Sequence, residues 1–374
     1  MRVLLVSKAC LVGIYQRKLE EIARHRDVDL TVVVPPSWRD ERGEVPLERA
    51  HTTGYELVVE PLRFNGHFHI HHYPRIGRRI TRLQPDIVHI DEEPYNLASA
   101  HLMWLARRAG ARTLFFSWQN LNRRYPLPFR WLERYVLRHA DYAIVGNRAS
   151  AQVWQAKGYR GPLAVIPQFG VDPEMFEPAG GNRDPGRGLV IGYVGRLVPE
   201  KGVDLLIEAA APLPGLWRLT ICGSGPEQGA LEHLAHDLNI RDRVLFDGWI
   251  PSVQMPGYYQ QLDVLVVPSR PRPNWQEQFG RVLVEAMACG VPVVGSDSGE
   301  IPNVIGDAGL IFAHGDVSGL RQHLFALQTQ PELRQTLGEK GRQRVLAHYT
   351  QAQIAARTVK VYRELLPTAN ARSG

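Results

Sequence analysis

Residues 189–211, LVIGYVGRLVPEKGVDLLIEAAA, decide the fold. The first seven are apolar and partly β-branched, the composition of a buried strand. Gly195 ends that run. From 202 to 211 the apolar residues return at helical spacing, so a helix follows a short loop. A strand feeding a helix through a glycine-led loop is half of a βαβ unit. The same alternation continues downstream, with strands at 217–222, 244–248, 263–268 and 292–296 and helices at 226–239 and 280–289. Three further helices, 316–328, 331–347 and 350–365, close the chain.

Upstream the pattern is the same. Apolar runs at 3–6, 30–34, 86–90, 113–116 and 142–145 read as strands, and 14–25, 94–109, 128–139 and 148–157 as helices. Between the two series lies EPAGGNRDPGRG (177–188), rich in glycine and proline and almost without apolar residues, which reads as a linker. Strands alternating with helices argue a parallel sheet covered on both faces. The expected architecture is therefore α/β, with two doubly wound Rossmann-like domains facing a cleft. The first domain spans 1–170 and the second 171–349, with a C-terminal helix over about 350–374 crossing back to the first. In such sheets ligands bind outside the carboxyl ends of the strands.

The chain has 374 residues and 42.2 kDa, enough for two domains. Hydrophobic residues at 44% and charged residues at 22% exclude a disordered or fibrous protein. No apolar run approaches the ~18–20 residues that span a bilayer. Cys10, Cys222 and Cys289 are too few and too far apart for a disulfide framework or a zinc site. They point to a reducing cytoplasm and to thiols packed as small hydrophobes. Charge is uneven. Residues 1–170 carry 25 Lys and Arg against 16 Asp and Glu, a net +9, and the remainder carries 19 against 22, a net −3. A basic first half suggests an anionic partner there.

Three constellations carry chemistry. In Gly195-Arg196-Leu197-Val198-Pro199-Glu200-Lys201-Gly202, the glycine lets a ligand approach the backbone, and two cations stand beside a helix N-terminus. A diphosphate suits that arrangement, and a tight turn with two solvated cations is the plain alternative. Gly223-Ser224-Gly225-Pro226 repeats the strand–turn–helix junction more weakly. The third is EQFGRVLVEAMACGVPVV (277–294), in which Gly280 opens a helix that Gly290 ends. Glu277 then lies in the loop and Glu285 in the second helical turn. Two carboxylates so placed accept hydrogen bonds from two ends of one polyol. A carboxylate within the apolar VLVEAMA is out of character for a buried helix face.

These motifs, with SDSGEIPNVI (296–305) and VIPQFGVDPEMF (165–176), resemble glycosyltransferase family 4, a family of the GT-B fold. The resemblance covers essentially the whole chain and is densest over 165–311. It implies a retaining transferase that uses a nucleoside diphosphate sugar. It implies that Arg196 and Lys201 hold the diphosphate, that Glu285 binds the ribose and that Glu277 contacts the sugar ring. Gly195 and Gly223 would border the donor, Phe279 and Gly280 would offer backbone N–H groups, and Trp249 and Ile250 would border the base. Gly13, in the first loop, would approach the phosphates from the other domain. Relatives often have His where this chain has Gln119 and Asn120, which are expected to face the cleft on the acceptor and sugar side. Gln119 would either bond a sugar hydroxyl or cap the following turn.

No metal is expected. The one Asp-x-Asp match, Asp27-Val28-Asp29, lies far from the donor motifs and reads as a turn. The tract HFHIHH (67–72) alternates rather than following helical spacing, and reads as a polar loop on the acceptor side. Arginines at 75, 78, 79, 82, 123, 124, 130, 134 and 138 either face anionic lipid or are simply solvated. No nucleic-acid motif accompanies them. The expected protein is cytoplasmic, either free there or peripheral at the inner membrane face. It moves a hexose from a UDP-sugar, or from GDP-mannose as the second candidate, to a glycan, lipid-linked or small-molecule hydroxyl, with no cofactor. The competing readings are a nucleotide-sugar 2-epimerase of the same fold and a non-catalytic nucleotide-sugar-binding subunit.

Overall fold

The structure is a computed structural model that describes residues 1–40, 43–180 and 185–366. Parts of the expected linker (181–184) and of the expected crossover segment (367–374) lie outside the described residues. The chain divides into two compact units, Met1–Gly170 with the segment from Gln351, and Val171–Thr350.

The first unit contains β1 (Arg2–Val6), β2 (Asp29–Val34), β3 (Ser37–Asp40), β4 (Gly43–Pro46), β5 (Glu56–Val59), β6 (Ile87–Ile90), β7 (Arg112–Ser117), β8 (Tyr142–Val145) and β9 (Leu163–Val165). Seven of these form a sheet in the order β5-β2-β1-β6-β7-β8-β9, with every neighbouring pair parallel. Alternate residues enter different cores. Val3 and Leu5 join one cluster, and Leu4 and Val6 the other. With both faces covered, β1 reads as a continuous apolar run rather than an alternation. Its helices are α1 (Arg17–Ala23), α2 (Ile76–Leu83), α3 (Leu97–Arg108), α4 (Phe129–His139) and α5 (Arg148–Ala156). The expected helix over 14–25 is shorter, because two 3₁₀ turns, Ala9–Leu11 and Gly13–Gln16, precede α1.

The antiparallel β3–β4 hairpin was not expected, since its short strands are mostly part-exposed and polar and carry no apolar alternation. Nor was α2, although Ile76, Ile80 and Leu83 do fall at helical spacing.

The second unit has β10 (Leu189–Val194), β11 (Trp217–Cys222), β12 (Val244–Gly248), β13 (Val264–Val267), β14 (Val293–Ser296) and β15 (Leu310–Phe312). They form a parallel sheet in the order β12-β11-β10-β13-β14-β15. Its helices are α6 (Val203–Ala210), α7 (Gln228–Asp237), α8 (Met255–Gln260), α9 (Arg281–Ala288), α10 (Ile301–Ile305), α11 (Val317–Thr329) and α12 (Pro331–His348). The last helix, α13 (Gln351–Leu365), belongs to the first unit, where it packs on α1. There Tyr362 and His89 share a buried 2.7 Å hydrogen bond, and Arg363 grips Asp27 with two bonds of 2.9 Å.

In each sheet the strand order reverses beside the unit's first strand. That topological switch point falls between β1 and β6 in the first unit and between β10 and β13 in the second. Loops leaving the two strands diverge there, which opens a crevice for a ligand.

Candidate functional site

At the switch point of the second unit, the loop after β10 carries Gly195, Arg196 and Lys201, and the segment after β13 carries Ser269, Trp275 and Glu277. Lys201 Nζ donates to Glu277 Oε2 at 2.6 Å. The two side chains are 22% and 12% exposed, so the pair is shielded but open to one side. Ser269 Oγ donates to the same oxygen at 3.3 Å, and the Lys201 ammonium sits 4.8 Å from the Trp275 ring centroid. The motif cation and the motif carboxylate, 76 residues apart, thus form one charged centre. Glu277 is fixed from behind by SDSGE. Glu300 N–H donates to Glu277 O at 3.1 Å. Gly299, at φ +58°, lies so close that a Cβ there would come within 2.2 Å of that oxygen.

Arg196 is exposed in the same loop. Gly195 and Gly223 have a reason different from ligand approach alone. A Cβ on Gly223 would lie 1.8 Å from Gly195 O, so the loops after β10 and β11 touch backbone to backbone. Gly280 is the N-cap of α9 and Phe279 is buried beside it against Tyr349. Glu285 projects from the second turn of α9 and is 4% exposed. Tyr259 Oη donates to its Oε2 at 2.8 Å, and Arg281 Nε lies 2.9 Å from its Oε1. Burial pushes the Glu285 carboxyl up, against the opposing effects of Arg281 and Tyr259. Trp249, 75% exposed, and Ile250 follow β12.

The first unit holds a cavity of about 280 Å³ at its own switch point. Lys8 follows β1, and Asp91, Glu92 and Glu93 follow β6. Lys8 Nζ donates to Glu92 in a short ion pair and lies 4.6 Å from the Phe68 ring centroid and 5.4 Å from that of Trp38. Glu92 also has His71 Nε2 at 3.6 Å. Burial works to raise the Glu92 carboxyl, but the charges and hydrogen bonds of Lys8 and His71 hold it down at about 2. Glu93 accepts from Ser117 Oγ at 2.5 Å and from Trp118 N at 2.8 Å, yet burial pushes it up to about 7. Asp91 is engaged by Ser7 Oγ and Gln168 Nε2. The sequence analysis missed this cluster. Three consecutive acids directly after an apolar strand were the available signal.

Three expectations for this unit change. Gly13 is buried, and its N–H donates to Glu48 Oε2 at 2.6 Å, so the amide is engaged within the unit rather than open to a phosphate. Gln119 is 6% exposed; its Nε2 donates to Leu121 O at 2.9 Å in the following turn, and its Oε1 is buried without a hydrogen-bond partner among the described residues. Asn120 beside it is half-buried. The 67–72 tract is not simply a polar loop, because His71 is fully buried against Glu92 and Trp38. Asp27 is held by Arg363, which gives the Asp-x-Asp match a structural role. The three cysteines are buried.

The family model for glycosyltransferase family 4 matches residues 15–175, and that for glycosyl transferases group 1 matches 180–344. The chain is 32% identical over 346 residues to a GDP-mannose-dependent alpha-(1-6)-phosphatidylinositol monomannoside mannosyltransferase of Mycolicibacterium smegmatis, covering 85% of each chain. The chain belongs to glycosyltransferase family 4. A second relative, the D-inositol 3-phosphate glycosyltransferase of the same organism, is 36% identical over 47% of this chain and 42% of its own. Among solved structures, Anabaena HepE in complex with UDP superimposes with a TM-score of 0.73 at 18% identity, over 97% of this family 4 chain and all of that one. The fold is GT-B, and the protein is a glycosyltransferase. Among the described residues, no helix is long and apolar enough to cross a membrane.

Proposed function

We propose that the protein is a retaining hexosyltransferase whose donor, a nucleoside diphosphate sugar, lies against the second unit's switch point. The observation that carries this reading is the 2.6 Å contact between Lys201 and Glu277. It joins the two motif segments and leaves an ammonium and a carboxylate partly open to one ligand. Lys201 and Arg196 stabilise the charge that develops on the departing diphosphate, as fixed cations do best in a shielded site. Glu277 accepts from sugar hydroxyls and orients the ring, and Glu285 holds the ribose. The incoming hydroxyl attacks from the face the diphosphate leaves, giving its proton to a phosphate oxygen, so the anomeric configuration is kept. The two cations perform the charge neutralisation that a metal performs in other transferases, so no metal is needed.

A UDP-sugar is the first expectation from the motifs alone. The relative matched over 85% of both chains is named as GDP-mannose-dependent, and this moves GDP-mannose to the front. A lipid-linked or glycan acceptor is proposed on the first unit. Trp104, Leu127 and Trp131 are 45%, 50% and 60% exposed on and beside the neighbouring helices α3 and α4, among Arg107, Arg108, Arg130, Arg134 and Arg138. Exposed tryptophans among arginines support peripheral contact with anionic lipid. The test is release of nucleoside diphosphate from GDP-mannose, UDP-glucose and UDP-galactose, with membrane lipid as acceptor and the product linkage read by NMR. An α-linked product from one α-linked donor is expected. A β-linked product, or epimerised nucleotide sugar without acceptor, overturns the reading.

A further inference from the structure

The net +9 of the first 170 residues suggests an anionic guest in this unit. The cavity at its switch point is built for something else. Its charged lining includes one cation, Lys8, and four acids, Asp40, Asp91, Glu92 and Glu93. A phosphate placed there meets several like charges in a shielded site. An ammonium ligand is also poorly served, because the position over Phe68 and Trp38 beside Glu92 is already taken by Lys8.

What remains open is hydrogen-bonding capacity. Glu92 is 3% exposed, and its Oε1 is buried without a hydrogen-bond partner among the described residues. A buried carboxylate oxygen left in that state carries a desolvation penalty that a hydroxyl donor removes. Glu93 accepts from Ser117 Oγ on one oxygen and from Trp118 N–H on the other, and a carboxylate offers about four acceptor positions. Lys8 has three N–H donors, of which Glu92 takes one. Acceptors and a donor thus stand side by side, which is the pattern that vicinal hydroxyls complement. The walls are aromatic, with Trp38, Phe68 and Trp118 among them. Their negative faces suit the weakly positive C–H face of a saturated ring. A volume of about 280 Å³ is at the small end of ligand pockets and fits one ring rather than a chain of them.

We propose that this cavity binds one uncharged ring polyol of the acceptor, read by Glu92, Glu93 and Lys8 with Trp38 as a wall, and that any phosphate of the acceptor stays outside it. The inference rests on the transferase reading for the word acceptor, but the binding itself does not.

Saturation-transfer NMR on the full chain tests it with methyl α-D-mannopyranoside, myo-inositol, myo-inositol 1-phosphate and glucosamine as probes. A neutral ring is expected to bind, with the phosphate and the ammonium at least tenfold weaker. Glu93→Gln, which keeps the shape and one acceptor, should weaken the ring about tenfold. Trp38→Ala, in the half-exposed hairpin, should do the same; it removes a ring beside Lys8 and His71 but neither member of the Lys8–Glu92 ion pair. Tighter binding of the phosphate or of glucosamine, no binding of either neutral ring, or equal binding by both variants overturns the proposal. Calorimetry with GDP and UDP on the same samples separates the two readings. Ring binding with no nucleotide binding sinks the proposed donor site and leaves the cavity's specificity standing. Nucleotide binding with no ring binding does the reverse.

Discussion

Replacing Lys201 by Met keeps much of the side-chain volume and removes the ammonium 2.6 Å from Glu277. The carboxylate then keeps the Ser269 Oγ donor at 3.3 Å. Exposed ion pairs contribute about 0–1 kcal/mol, and removing one partner of a buried pair costs about 3–5 kcal/mol. At 22% and 12% exposure this pair lies between them, so about 1–3 kcal/mol is expected. For a unit of this size that lowers the melting temperature by about 2–12 °C. Glu277→Gln removes the stranded charge, so the double variant should recover part of the loss. Activity behaves differently. Loss of a fixed group that stabilises transition-state charge lowers turnover by about 10²–10³, and the double variant should be no better than Lys201→Met. Melting curves and turnover at saturating donor, measured on all four proteins, close the cycle. Near-normal turnover in Lys201→Met removes the phosphate role. Recovery of activity with stability in the double variant shows that the pair is structural only.

Gly223→Ala places a methyl group 1.8 Å from Gly195 O, so it should destabilise the second unit by about 3 kcal/mol or more and weaken nucleotide binding, as melting and calorimetry would register. Glu93, raised to about 7, faces Lys8, Glu92, Tyr95 and Tyr125. A raised carboxyl binds its proton more tightly in the folded state, so wild-type stability relative to Glu93→Gln should fall as pH rises from the ordinary glutamate value of 4.5 towards about 7, by on the order of 1–3 kcal/mol. A flat difference in urea melts across that range contradicts the burial of Glu93. Activity should survive EDTA, and silencing by EDTA with rescue by manganese would contradict the two-cation donor site.

Most of the parallel strands and most of the helices were legible, because buried strands and amphipathic helices write their period into the chain, whereas β5, β9 and β15, of four residues or fewer, do not stand out. Glu285 stood out as an acid among apolar residues, and it is buried in α9. Contacts that depend on loops from different strands were not. Nothing local says that Lys201 and Glu277 meet, or that Gly223 is small because the Gly195 carbonyl lies against it. Gly13 looked like an open amide because its partner, Glu48, arrives from beyond β4. Net charge says nothing of the acid-lined cavity, since no arginine is among its lining residues. Asp91, Glu92 and Glu93 could have been singled out by one rule, that polar residues directly after a central parallel strand face the ligand crevice.

The central claim is that the loops at 195–202 and 277–285 hold a nucleoside diphosphate. Calorimetric titration of the full chain with GDP and with UDP, repeated on Arg196→Ala and Lys201→Met, tests it most directly. The account predicts binding of at least one nucleotide in the wild type, GDP first, and a drop of tenfold or more in each variant. Binding of neither nucleotide, or affinity unchanged in both variants, would contradict it.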